Sequence, residues 1–160
     1  MSTATDEAPA GGCTCGHLRY SLTAPPLIVH GCHCRWCQRE TGSALAINAL
    51  IETAELAVTA GRPDRVPTPS LSGRGQLVVR CPDCHVAVWS HYPGLGEAVA
   101  FVRVGTLDAP DRFPPDIHIF TASKQPWLRL PEGLPAVAEY YDREAVWPVE
   151  SLRRLAAVRG

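Results

Sequence analysis

Seven cysteines in a chain of 160 residues fall into three tight groups. Cys13 and Cys15 flank a single residue in Cys13-Thr14-Cys15, and Cys81 and Cys84 flank two in Cys81-Pro82-Asp83-Cys84. The third group, Cys32, Cys34 and Cys37, lies in the run Cys32-His33-Cys34-Arg35-Trp36-Cys37. A tight turn carrying two thiolates offers two corners of a tetrahedron, so the two short knuckles together can close one zinc site. Three sulfurs in one turn cap three corners and leave the fourth to water or a substrate. Other partitions of seven cysteines exist, but this one uses every cysteine and keeps each group whole. It predicts two zinc ions per chain, one closed by Cys13, Cys15, Cys81 and Cys84, and one left open by Cys32, Cys34 and Cys37. Four thiolates also hold iron, although knuckles of this kind favour zinc.

Each group has a plainer reading. The four-cysteine set could be buried free thiols or a redox pair. The three-cysteine set could be a second structural site completed by His33 or by a distant histidine. Because His33 stands between two ligands, its ring is expected to point away from the metal, behind the ligands or at the surface. An open site of three thiolates on a dication carries one negative charge, which makes the metal a weaker Lewis acid toward water than a histidine-built site. Its natural chemistry is therefore the capture and deprotonation of a fourth thiol, held beside an incoming carbonyl carbon, and not hydrolysis.

The elements that must position these groups are short. Fifteen prolines and thirteen glycines punctuate the chain too often for a helical bundle. Polar and apolar residues alternate over His17–Leu22, Gln76–Arg80 and, more loosely, Asp116–Phe120, as in strands with one wet face. Ser43–Ile51, Val86–His91 and Val99–Leu107 are richer in apolar residues and read as strands buried on both faces. The segment Gly61–Gly75 (GRPDRVPTPSLSGRG) has no apolar period and reads as a long surface loop of the kind that often carries function. One helix is expected at the end, with Pro148 in its first turn and Val149, Leu152, Leu155 and Ala156 on the apolar face of Val149–Arg159. The body is thus predicted to be mostly β, one domain long enough to bury a core. The polar, mildly acidic start reads as a disordered leader over residues 1–11, followed by a zinc domain over 12–130 and a C-terminal extension over 131–160 whose helix packs on it.

The formal net charge is −1, with fourteen arginines and one lysine, so no broad basic surface is available to a phosphate backbone. No nucleic-acid partner is expected. The start lacks a secretory signal pattern and no run of eighteen apolar residues occurs, so neither a membrane nor export is expected and the location reads as cytoplasmic. Thiols stay reduced there, which favours metal ligation over disulfides.

Four stretches carry a resemblance: GGCTCGHLRYSL, HGCHCRWCQRETGSA, CPDC and IHIFTASKQPW. In this order they resemble the glutathione-dependent formaldehyde-activating family, which includes centromere protein V, from Gly12 to about Trp127. The resemblance implies a small zinc-stabilised, mostly β fold similar to the Mss4-like (β-tent) fold. It also implies a structural role for Cys13, Cys15, Cys81 and Cys84 and a catalytic one for Cys32, Cys34 and Cys37. The implied reaction is of the carbon–sulfur lyase type: glutathione or a similar thiol joins formaldehyde to give an S-hydroxymethyl adduct. The alternative is a non-catalytic zinc-stabilised binding module or adduct carrier. Two positions depart from the family pattern: His85 where a glycine commonly follows the last knuckle, and Arg80 where an aromatic residue commonly precedes it. A histidine there can adopt a positive φ at modest cost.

Glutathione brings two carboxylates, for which guanidinium groups are apt partners, and Arg35 and Arg39 lie nearest in sequence. Both could equally be solvated surface residues. Gln38, Thr41 and Gly42 either shape the pocket floor or begin the next strand. Ser123, Lys124 and Trp127 could line the cleft, or Trp127 could fill core and Lys124 stand exposed.

Overall fold

The structure, a computed structural model, describes residues 8–159. The expected leader over residues 1–11 therefore falls mainly outside the described residues. Its last part is a strand: β1, Ala10–Gly12, pairs with β2, Arg19–Leu22, through Ala10–Ser21 and Gly11–Tyr20. Strand β5, Leu56–Ala60, completes this small sheet in the order β1-β2-β5.

The larger sheet has seven strands. They are β3 (Ile28–Cys32), β4 (Ala46–Glu52), β6 (Asp64–Thr68), β7 (Gln76–Arg80), β8 (Ala87–His91), β9 (Val99–Arg103) and β10 (Ile117–Ile119). Their order is β10-β3-β4-β9-β8-β7-β6. The pairs are antiparallel except β10 with β3, which run parallel. Among the described residues three α-helices accompany them: α1 (Arg35–Thr41), α2 (Arg143–Val146) and α3 (Val149–Arg159). The protein is mostly β with a short C-terminal helix, consistent with the expected Mss4-like fold, and no helix among the described residues is long and apolar enough to cross a membrane.

Strand β4 shows how one sheet serves two cores. Successive side chains point to opposite faces. Ala49 and Ile51 join Leu18, Tyr20 and Val102 in the core beneath the small sheet. Ala46 and Leu50 join Ile28, Val99 and Ile119 in a second core, with Trp147 and Leu155 of the C-terminal segment packed against them. Both faces of β4 are covered, which explains its nearly continuous apolar sequence. Strands β8 and β9, also read as doubly buried, are buried along most of their length.

Three features depart from expectation. The segment Gly61–Gly75 is not all loop, because β6 forms within it and pairs with β7, Pro67 opposite Leu77. This is an edge strand with mostly exposed side chains, so it shows no apolar alternation, and an edge position tolerates proline. The chain also has more than the one expected helix. The first, α1, starts inside the cysteine run and has only seven residues, too few to reveal a helical period. Finally, α3 occupies the expected span with its inward face only partly as expected: Leu155 is buried and Leu152 packs on the second core, but Ser151 joins them while Val149 and Ala156 are exposed. The Ser151 hydroxyl donates to the Leu27 carbonyl at 2.7 Å, and Arg154 grips Glu52 through Nε (2.8 Å) and Nη2 (2.6 Å).

Candidate metal centres

Two hairpin turns bring Cys13, Cys15, Cys81 and Cys84 together, with all four sulfurs within 4.8 Å of one another. Cys13 and Cys15 follow β1, and Cys81 and Cys84 lie in the turn between β7 and β8. Sulfur–sulfur separations are 3.5 Å for Cys13–Cys15 and 3.7 Å for Cys15–Cys81. A tetrahedral zinc with Zn–S of about 2.3 Å has edges of about 3.8 Å, so the donor set fits that ion. A disulfide needs about 2.0 Å and does not fit. The Leu18 amide donates to Cys13 Sγ at 3.3 Å, and Cys84 is held down to about 6 by the hydrogen bonds of the Val86 and Cys15 amides. Hydrogen bonds to sulfur favour the thiolate that a metal requires.

The two departures from the family pattern meet at this site. His85 has φ of 61°, the left-handed conformation expected there, and its amide donates to the Cys81 carbonyl at 3.0 Å to close the knuckle. Arg80 Nη1 donates to the His85 carbonyl at 3.1 Å, while Nη2 pairs with Glu40 of α1. The substituted residues thus support each other and tie the knuckle to the helix that carries the second cluster.

Cys32, Cys34 and Cys37 form that second cluster, all three buried, with sulfurs within the same 4.8 Å limit. Cys32 ends β3. Cys34 is the N-cap of α1 and accepts the Cys37 amide at 3.3 Å, and Cys37 lies in the first helical turn. Hydrogen bonds from the Cys32 and Cys37 thiols hold Cys34 down to about 3, and the Cys37 and Trp36 amides add to this. At the far end of α1, Gly42 takes φ of 65° and its amide donates to the Gln38 carbonyl. Gly42 is thus the helix stop and does not begin a strand. Thr41 Oγ1 donates to the Cys37 carbonyl at 2.8 Å.

Histidine takes no part in this cluster among the described residues, as expected, but His33 is not at the surface. It is fully buried, and its Nε2 lies 2.8 Å from His118 Nδ1. His118 sits opposite Gly31 in the parallel β3–β10 pair, where a Cβ on Gly31 would come within 2.5 Å of His118 Nδ1. Only glycine lets the imidazole lie across the strand. Gln38 fixes the same backbone from the other side: its Nε2 donates to the His33 carbonyl (2.6 Å) and the Ser123 carbonyl (3.0 Å), and Ser123 Oγ donates to the His33 carbonyl at 3.0 Å. Ser123 therefore holds the cysteine run in place and does not line the cleft. Lys124 Nζ is tied to the Gln125 and Leu128 carbonyls, and Trp127 is 68% exposed, so neither fills core nor lines a cleft.

The three-cysteine cluster forms part of the wall of a cavity of about 470 Å³. Ser70, Leu71 and Ser72, from the second half of the segment read as a loop, form another part of that wall. Arg35 and Arg39, expected to meet substrate carboxylates, do not reach it. Arg35 is exposed and its Nη1 donates to Gln38 Oε1 at 2.6 Å, and Arg39 is exposed in the last turn of α1. The guanidinium on the cavity belongs to Arg143, more than a hundred residues further on, and no local motif marks it. A second arginine, Arg103, is buried close by: Nη1 pairs with Asn48 on the cavity wall and Nη2 donates to Ser90 Oγ at 2.8 Å. A hydrogen bond with Cys32 lowers Cys37, but the Cys34 neighbour and burial push it up to about 11, and the charge of Arg103 opposes that rise.

Fold and site together define a class: a small, mostly β protein with two separate cysteine clusters able to hold metal ions, one of four sulfurs and one of three beside a cavity. Residues 8–123 match the family described as "Glutathione-dependent formaldehyde-activating enzyme", and the chain belongs to that family. Among solved structures, the crystal structure of a Rhodobacter sphaeroides protein is similar, with 19% sequence identity and a TM-score of 0.48 over 62% of this chain and 87% of the other. No curated protein matches the chain.

Proposed function

We propose that this protein is a zinc-dependent carbon–sulfur lyase-type enzyme that joins a thiol, glutathione or similar, to an aldehyde, formaldehyde or similar. One observation carries the reading: three sulfurs, and not four, stand on the wall of a cavity large enough for a small molecule. Three donors leave one position of a tetrahedral ion free, whereas Cys13, Cys15, Cys81 and Cys84 fill all four. In this reading the three-cysteine cluster holds a reactive zinc and the four-cysteine cluster a structural one, and Cys32, Cys34 and Cys37 are the ligands that serve the chemistry. Zinc bound there would keep an incoming thiol as its thiolate near neutral pH. The reaction forms one sulfur–carbon bond to the carbonyl carbon. The carbonyl π pair moves to oxygen, and the proton lost by the thiol ends on that oxygen as the hydroxyl of the adduct.

The chain supports this step in ways its side chains make explicit. Arg103, buried without a carboxylate partner among the described residues, offsets the negative charge of three thiolates. Gln38, Ser123 and the His33–His118 pair fix the backbone between the ligands, so the three sulfurs are set before substrate arrives. Reduced thiolates at both clusters need a reducing compartment, and the cytoplasm is the one we assign. The test is two-dimensional exchange NMR of formaldehyde with a thiol, with and without the protein. Wild type is expected to accelerate exchange and Cys34→Ser to abolish the acceleration while staying folded. A wild-type protein that binds the adduct yet leaves exchange unchanged would be a carrier or binding module and not an enzyme.

A further inference from the structure

The cavity wall is selective about charge. Among the described residues Arg143 is its one arginine or lysine, and neither aspartate nor glutamate lines it. Arg143 is held in place from behind: its guanidinium carbon lies 5.4 Å from the Trp147 ring centre. Trp147 is buried, and its Nε1 donates at 2.7 Å to Tyr141 Oη, which in turn is hydrogen-bonded to His30 Nε2. Among the described residues Arg143 forms no ion pair, and its Nε is shut off from solvent without a hydrogen-bond partner. A positioned guanidinium with its donors unspent calls for an anion.

The rest of the wall is chiefly apolar, with Trp36, Tyr92, Leu95, Phe101, Phe120 and Tyr140 facing the same space as the sulfurs. Glutathione fits this poorly. It brings two carboxylates and an ammonium, and among the described residues the cavity wall offers one guanidinium, so a second carboxylate would face apolar side chains and thiolates without a cationic partner. We propose that the ligand of this cavity is a thiol bearing a single carboxylate and an apolar body of aromatic size, with Arg143 as the anchor that determines this specificity. The inference rests on the proposed function only for the thiol; the anion anchor stands on the cavity alone.

The test is isothermal titration calorimetry of the zinc-loaded full chain with four probes: 2-mercapto-3-phenylpropanoate, its carboxamide, 3-phenylpropanoate and glutathione. The mercapto acid is expected to bind about tenfold or more tighter than its carboxamide, the usual worth of a charge-assisted hydrogen bond, and tighter than glutathione. Arg143→Gln should bring acid and amide level, and Arg143→Lys should keep part of the preference. Equal binding of acid and amide to the wild type, or tighter binding of glutathione, overturns the proposal, and neither outcome depends on how a variant folds. The thiol-free acid separates the two readings. If it binds as well as the mercapto acid and still depends on Arg143, the anchor holds and thiol capture fails. If the thiol adds affinity but the carboxylate does not, thiol capture holds and the anchor fails.

Discussion

A buried guanidinium whose protein partners are an amide and a hydroxyl lacks a countercharge, and Arg103 is in that position beside Cys37. Three thiolates around a bound dication would supply the missing negative charge. Arg103→Gln is therefore expected to lower metal affinity at the three-cysteine cluster by about 10–100-fold, as loss of an outer partner of a metal site commonly does. The four-cysteine cluster should keep its metal; competition with a chromophoric chelator reads both. Gly42 supports a simpler prediction. Nothing lies within 4 Å of a Cβ added there, so Gly42→Ala meets no clash and pays only for its φ of 65°. The expected cost is about 1 kcal/mol in urea unfolding. At this scale the sequence displayed the seven sulfurs because knuckles are local, and each group was visible within six residues. Arg143 and Arg103 were hidden because they reach the cluster through tertiary packing, and Arg35 and Arg39 drew attention only by standing next to it.

At the scale of elements, helix α3 is docked by one buried ion pair. Glu52, at the end of β4, has a side chain only 6% exposed and is held by both Nε and Nη2 of Arg154. Arg154→Ala leaves that carboxylate buried and alone, and is expected to cost about 3 kcal/mol in urea unfolding. Combining it with Glu52→Gln should recover part of the loss, since the orphan charge is then gone. If the single and double variants were equally unstable, packing of α3 and not the pair would be holding the helix. The doubly buried strands were legible because their apolar runs are continuous, and α3 because Pro148 marks its start. Helix α1 was not legible, since its cap is a cysteine of the three-sulfur cluster and its length is under two turns. Strand β6 was not either, because an exposed edge carries no periodic signal and its proline argued against a strand.

Taken as a whole, the molecule places its two cysteine clusters in two cores on opposite faces of one sheet. Its acid stability follows from the imidazole pair beneath the three-cysteine cluster. Burial lowers His118 below its usual value and pushes His33 down to about 4, with the neighbouring His118 adding to the effect. The unfolded chain takes up protons near pH 6.5, where the folded one does not. Stability from this pair is therefore complete above about pH 6.5 and is lost as pH falls through the lower, folded values. His118→Gln keeps a hydrogen-bonding side chain without titrating, so its melting temperature should fall less than that of the wild type between pH 7.5 and 5.5. The division of labour between a reactive and a structural cluster is tested by metal release. Zinc per chain is followed by elemental analysis during dialysis against a chelator of rising strength, with circular dichroism on the same samples. Two zinc ions are expected, the one at the three-cysteine cluster leaving with the fold intact and the other only as the protein unfolds. Release of both ions together with unfolding would contradict that division, and would make the three-cysteine cluster a second structural site.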